Sequence, residues 1–305
     1  MFSKFKKIAV FAGMILGTNT IIQAQCDCPG NVPPPMIVVS GNVNNGKLMP
    51  YEGDAFASVF YSYSQGDKVA SADIIRDNRF KREYRFNYVG FFASYGLSPR
   101  MAIEVESGYF DSFIKDYYGE YKNSKFSHIL AGIKYNLLSS KYTDELIANF
   151  GLRAPLNSQD IDTAGYVKPA NSSFGARAAL LYNYVLSSKS NLIFNVKYDV
   201  NINDKKRSRV GDGFLTQLIY RYDWLESVKP AISLEYEKRE KDVYNNKSVT
   251  NSGADIVSIR SSITLIPFDY PVSINVNTSV PVYYYYKGLQ STQNFSLAAS
   301  IGISF

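Results

Sequence analysis

A serine nucleophile needs a histidine base held by a third polar group, and the 305 residues contain one histidine, His128. Neighbouring residues of a strand point to opposite faces, so Ser127 is expected to face away from His128 and to share no hydrogen bond with it. A serine on an adjacent strand is then the remaining route to acyl hydrolysis. The two thiols offer little more. Cys26 and Cys28 stand one residue apart, ahead of Pro29 and of Pro33, Pro34 and Pro35, and a disulfide between them would close a loop too small to constrain a fold. As metal ligands they are weak candidates, because two thiolates need further donors and the histidine lies far along the chain. No cofactor is expected.

The charged residues form the larger pattern. Glu104 and Glu106, Lys134, Arg153, Arg177, Lys197 and Asp199, Arg221, Glu235 and Glu237, and Arg260 interrupt otherwise apolar or small-residue stretches, and those that fall together are spaced two apart. That spacing places them on one face of a strand. A face carrying both signs is either wet or tied up in ion pairs, since an unpaired charge in a dry interior is costly. In the wet case Arg153, Arg177, Arg221 and Arg260 make a basic side that favours anionic or aromatic acids. In the paired case they bind Glu104, Glu106, Glu235 and Glu237 and stiffen the wall.

The elements that must hold these side chains are strands. No run of 18 apolar residues follows residue 24, and helical periodicity is absent; period-two alternation recurs instead, between segments rich in Gly, Asn, Asp, Ser and Lys. Twelve stretches show it: Asp54 to Ser64, Tyr84 to Tyr95, Met101 to Phe110, Lys125 to Leu137, Glu145 to Leu156 and Ser173 to Leu186 in the first half. Asn191 to Asn201, Gly213 to Trp224, Pro230 to Arg239, Ala254 to Leu265, Pro271 to Pro281 and Gln293 to Phe305 make up the second. Soluble sheets alternate too, so length decides: most stretches approach the ~9 to 11 residues that a tilted strand needs to cross a bilayer, against ~5 to 6 in soluble sheets.

Aromatics and loops agree. Phe174 and Tyr184, Phe214 and Trp224, and Phe295 and Phe305 stand ten apart, which places them about 25 Å apart along a barrel axis, the height of an apolar band between two aromatic girdles. Phe126 and Tyr135 break the phase by one, as a bulge would. Connections alternate long and short, with Gln65 to Glu83 and Asp111 to Ser124 long and Gly96 to Arg100 short. The expectation is an all-β, transmembrane, up-and-down antiparallel barrel of about twelve strands, with long extracellular loops, short periplasmic turns and both barrel ends in the periplasm.

Residues 1–24 carry Lys4, Lys6 and Lys7, an apolar run from Ile8 to Leu16, and Ile22-Gln23-Ala24, the order of a cleaved secretory signal. Residues 25–52 then form a Pro-rich periplasmic tether and residues 53–305 the barrel. Loss of the signal leaves 30 basic against 27 acidic residues, a net +3 in place of +6, too small an excess for nucleic-acid binding. Aromatic content of 15%, charged content of 20% and a mean hydropathy of -0.17 exclude disorder, collagen and coiled coil.

Two places carry a family likeness. Tyr95-Gly96-Leu97-Ser98-Pro99-Arg100-Met101-Ala102-Ile103-Glu104 resembles the tyrosine-glycine-leucine turn, with its arginine and fresh strand, of the twelve-stranded outer-membrane barrels grouped with the meta-pathway phenol-degradation family. Val280-Pro281-Val282-Tyr283, then Lys287-Gly288-Leu289-Gln290 and a last alternating strand, is similar to the close of that family. Phe305 resembles the terminal aromatic that the barrel-assembly machinery recognises. The likeness runs from about Tyr51 to the end, implies architecture rather than cargo, and gives Cys26 and Cys28 no counterpart.

The expected function is a channel or passive transporter for small solutes in the outer membrane of a Gram-negative-type bacterium, with outer-membrane lipid around it. A scaffold that docks a periplasmic partner through the N-terminal tail is the alternative, and an acyl hydrolase using His128 a lesser one. The run from Tyr283 to Tyr286 is read as girdle and loop packing or as a stacking platform at the outer mouth.

Overall fold

A computed structural model describes residues 48–79, 81–117, 119–138, 144–156, 173–203, 209–267 and 271–305; the signal, the cysteines and most of the tether lie outside these. Among the described residues every element is a strand: β1 (Ala55–Gly66), β2 (Lys68–Ala72), β3 (Ile74–Arg76), β4 (Glu83–Ser98), β5 (Met101–Asp116), β6 (Gly119–Asn136), β7 (Glu145–Pro155) and β8 (Gly175–Ser187). The rest are β9 (Ser190–Asn201), β10 (Gly213–Tyr222), β11 (Val228–Arg239), β12 (Val243–Tyr244), β13 (Lys247–Ser248), β14 (Ala254–Leu265), β15 (Val272–Thr292) and β16 (Phe295–Ser304).

Twelve of them, all but the two small hairpins β2–β3 and β12–β13, pair antiparallel in chain order. The last returns to the first, with Val59 opposite Ile301 and Tyr61 opposite Ala299, and the barrel is closed. Each of the twelve alternating stretches of the sequence corresponds to one barrel strand. Alternation dictates the two faces. In β16 Leu297 and Ile301 stand 44% and 59% exposed toward lipid, while Ser296 and Ala298 are buried inside. The girdle aromatics Phe174, Tyr184, Trp224 and Phe305 are all exposed on the outer wall.

The phase break in β6 is a β-bulge. Ser107 of β5 opposes Ile129 whereas Tyr109 opposes Phe126, so β6 carries one extra residue there, and a bulged residue turns its neighbours onto a common face. Phe126 and Ile129 face lipid, while Ser127 and His128 are both buried inside, at 2% and 0% exposure. The expectation that these two face opposite ways is therefore corrected: strict alternation fails at the one place where a residue is inserted.

Two loops are also shorter than expected. Residues 111–124 belong largely to β5 and β6, which run on beyond the apolar band to Asp116 and Gly119. Tyr283 to Tyr286 lie within β15, whose pairing jumps from Val257–Tyr283 to Ser258–Pro281. Val282 is the extra residue, beside a proline that cannot donate to the ladder. Beyond Tyr286 the strand leaves β14 and pairs with β2.

Glycines let inward aromatics lie flat on the wall. A Cβ on Gly90 would stand 1.9 Å from the ring of Phe60, and one on Gly108 2.2 Å from the hydroxyl of Tyr88. Gly108→Val is expected to force Tyr88 out of place and cost about 1 to 3 kcal/mol, the usual penalty of overpacking. Urea unfolding of the refolded barrel checks this, and unchanged stability would show that the ring has other room.

Candidate functional site

Four groups of inward side chains fill the lumen. At the end that carries the short turns, Ala102, Ile147, Leu181, Ile193 and Ile219 point inward and form an apolar floor, on which Leu48 and Met49 sit at 1% and 5% exposure. The backbone N–H of Leu48 donates to the Glu145 carboxylate at 3.0 Å. The chain thus enters the periplasmic mouth before β1 begins. Nothing in the periodicity of the tether signals this, because a two-residue apolar pair carries no period.

Above the floor lies a belt of paired charges. Arg177 of β8 reaches Glu106 of β5 at 2.9 Å and Asp199 of β9 at 2.9 Å; register already sets Arg177 directly opposite Asp199. Arg153 and Lys197 stand 3.5 and 3.6 Å from the same aspartate, and His128 Nε2 lies 3.3 Å from Glu106. On the far wall Arg260 grips Glu235 with two nitrogens, at 2.7 and 3.0 Å, and donates to Asn277 at 2.7 Å. Gln217 donates to Glu235 at 2.8 Å and Asn195 to Gln217 at 2.7 Å, which extends the belt from β11 to β9. Glu237 and Lys197 flank Leu215 in one cross-strand row. A separate set joins Lys134 to Glu104 at 3.0 Å, with Asn149 donating to the same carboxylate at 2.7 Å.

The eleven expected lumen residues therefore all face inward, but they do not form one basic side. Each of the four arginines has a carboxylate: Arg153 and Arg177 share Asp199, Arg260 has Glu235, and Arg221 stands 3.6 Å from Asp223. Asp199, 1% exposed, is the hub, a role that spacing alone cannot single out among alternating charges. With the belt arginines and carboxylates almost wholly buried, side chains fill the lumen at this level, as the width of a twelve-stranded barrel allows.

Beside the belt stands an aromatic wall that alternation does not reveal, reaching the same height where Phe92 pairs across strands with Glu106. Phe56 and Phe60 of β1, Tyr84, Phe86, Tyr88 and Phe92 of β4, and Phe110 and Ile114 of β5 all point inward and are buried together. Phe86 stacks on Phe110 and on Tyr88, with centroids 6.2 and 6.4 Å apart, and Lys134 lies 5.1 Å from the Phe92 ring. The available signal was that β4 is aromatic on both faces, with Phe91 and Tyr95 exposed to lipid.

The fourth group is an outer roof. Asp242, 1% exposed, accepts from Gly211 N–H at 2.7 Å and from Arg239 at 3.0 and 3.1 Å, which ties the β9–β10 connection to the β11–β14 connection. Val210 N–H donates to Ser173 at 3.2 Å and brings in the β7–β8 connection.

The bulge brings Ser127 Oγ within 2.8 Å of His128 Nδ1, with Glu106 on the other ring nitrogen, so the contact thought impossible exists. Ser127 is 2% and His128 0% exposed, so the trio lies packed inside the wall, where it braces the bulge against the belt. Among the described residues no group of three His, Cys, Asp or Glu side chains could hold a metal. Cys26 and Cys28 lie outside the described residues.

No protein-family profile matches the sequence. No curated protein matches it either. Solved structures do. An outer membrane channel from Pseudomonas putida F1 superposes with a TM-score of 0.67 at 16% identity, covering 84% of this chain and 97% of that one. The translocator domain of the autotransporter NalP from Neisseria meningitidis gives 0.51 at 8% identity, over 84% of this chain and 90% of that one. A deltaS2 mutant of the TodX monoaromatic hydrocarbon channel gives 0.50 at 9%, over 88% and 94%. At these identities the likeness is one of fold, and in fold this closed twelve-stranded barrel resembles the outer-membrane channels.

Proposed function

We propose that the barrel is a passive channel of the outer membrane for small solutes with an aromatic body, held shut at rest by Leu48 and Met49. The observation that carries this reading is the two-sided lumen, in which the Phe56 to Ile114 cluster faces the Glu106–Arg177–Asp199 belt. Packed against each other at rest, the two would give a solute that parts them a stacking surface on one side and hydrogen bonds on the other, the composition expected of a site for small amphipathic molecules. Because every belt arginine has a carboxylate, the aromatic body counts for more than an anionic head, and aromatic acids pass as aromatics first. Channels of similar fold include one named for monoaromatic hydrocarbons, which supports the same direction. Phe305, 71% exposed at the close of the barrel, suits the reading that the assembly machinery grips this end.

The test is conductance and solute flux of the purified chain in lipid bilayers and vesicles. Flux of benzoate is expected to exceed that of gluconate, an anion of the same charge without a ring. A barrel that passes neither ions nor either solute, even with the Leu48–Met49 segment removed, is not a channel.

A further inference from the structure

A groove of about 680 Å³ lies on the outer wall, on the lipid side rather than in the lumen. Register shows how it forms. Ala57, Ala93, Val105, Ala131 and Leu152 make one outward cross-strand row over β1, β4, β5, β6 and β7, and Ala55, Tyr95, Ile103, Ile133 and Phe150 make the next row toward the periplasm. Three alanines in the first row sink it between the larger second row and Phe91 and Ile129 on the other side, which are 44% and 42% exposed. The floor is the alanine methyl groups and the strand backbone between them, with the inward-facing Phe56, Ser94, Glu104 and Gly132 beneath. Five neighbouring strands span about 19 Å at the spacing of a sheet, so the depression is long, one row wide and oblique to the membrane normal.

Its volume is that of a ligand site, roughly 300 to 1,000 Å³, and its shape admits a thin apolar rod but not the flat wall of a second barrel. At the periplasmic end, β4 and β5 are joined through Pro99 and Arg100, and Arg100 is exposed and makes no ion pair among the described residues. Tyr95, 44% exposed, lies between groove and turn, where aromatic rings favour the headgroup level.

We infer that this groove binds one acyl chain of an anionic phospholipid from the periplasmic leaflet, with the phosphate held at Arg100. The groove supplies the apolar contact and the cation supplies the charge complement to the headgroup. The site is independent of solute passage, because it faces away from the lumen.

Native mass spectrometry of the purified full-length chain after detergent exchange tests the assignment, with dipalmitoyl phosphatidylglycerol and dipalmitoyl phosphatidylcholine added as probes. The wild type is expected to keep one lipid and to prefer phosphatidylglycerol about fivefold, the effect of one cation near a membrane surface. A93L/A131L fills the groove with residues that lipid-facing strands tolerate, and is expected to lower retention of both lipids about tenfold. R100Q is expected to abolish the preference while chain retention stays. T216L/S261L, on the outward faces of β10 and β14 away from the groove, is the control and leaves retention unchanged. Heat-modifiable migration confirms that each barrel is folded, and the milder A93V replaces A93L/A131L if that barrel is not. Wild-type retention in a folded, groove-filled variant, or an intact preference in R100Q, overturns the assignment.

Discussion

Arg177→Ala will destabilise the barrel by about 3 to 5 kcal/mol, the cost of breaking a buried pair by removing one partner. The reason is the number of acceptors left behind. Arg177 donates to Glu106 and to Asp199 at once, and both carboxylates are under 5% exposed. Without the guanidinium they face each other across a dry wall. Arg153 and Lys197 remain near Asp199 at 3.5 and 3.6 Å, but within ion-pair distance among the described residues Glu106 keeps only His128, with Lys197 acting from farther off. The loss should therefore be recovered in part by E106Q in the Arg177→Ala background and less by D199N. Urea unfolding of refolded barrels, read as a double-mutant cycle, measures both. A loss below about 1 kcal/mol would mean that water reaches the belt and screens it, and the lumen would then be wetter than the packing indicates.

The second large effect is on conductance. L48D/M49D places two carboxylates on a floor of Ala102, Ile147, Leu181, Ile193 and Ile219, beside the like-charged Glu145, while the nearby cation Arg221 already has Asp223. Unpaired burial costs several kcal/mol for each group, so occupancy of the mouth should fall by a factor of at least ~100. The barrel itself, closed strand to strand, stays folded. Single-channel recording should show a rare or silent wild type and a variant that conducts for most of the record. Glu145→Gln keeps an acceptor for the Leu48 N–H and should sit between the two. Equal open probability in wild type and L48D/M49D would show that the belt or the roof, rather than the stopper, limits passage.

How much of this was legible follows from what a period can encode. Twelve strands, their faces and the girdles were readable because lipid and lumen impose opposite chemistries on alternate residues over ten positions. The same rule hid three things. In β4 both faces are aromatic, so Phe86, Tyr88 and Phe92 could not be told from lipid-facing residues by polarity. In β6 one inserted residue reversed the phase and carried Ser127 to the side of His128. The inward charges were identified as a set, but pairing depends on register between strands distant in sequence, which made Glu104 the partner of Lys134 and left Asp199 to hold the arginines. Leu48 and Met49 lie outside any periodic stretch, and only the floor they meet gives them a place.

The uneven strand lengths give the outer end a front and a back. β4, β5 and β6 run to 16, 16 and 18 residues, and β15, with β2 against its outer end, to 21, while β7 and β10 have 11 and 10; six extra residues on a tilted strand rise about 15 Å. The mouth is thus overlooked by a parapet that runs from β15 to β6 and shows Tyr117 at 76% exposure, while the roof of tied connections covers the side of the shorter strands. An epitope tag grafted beside Tyr117 should therefore bind antibody on intact cells without disturbing the tied connections of the roof.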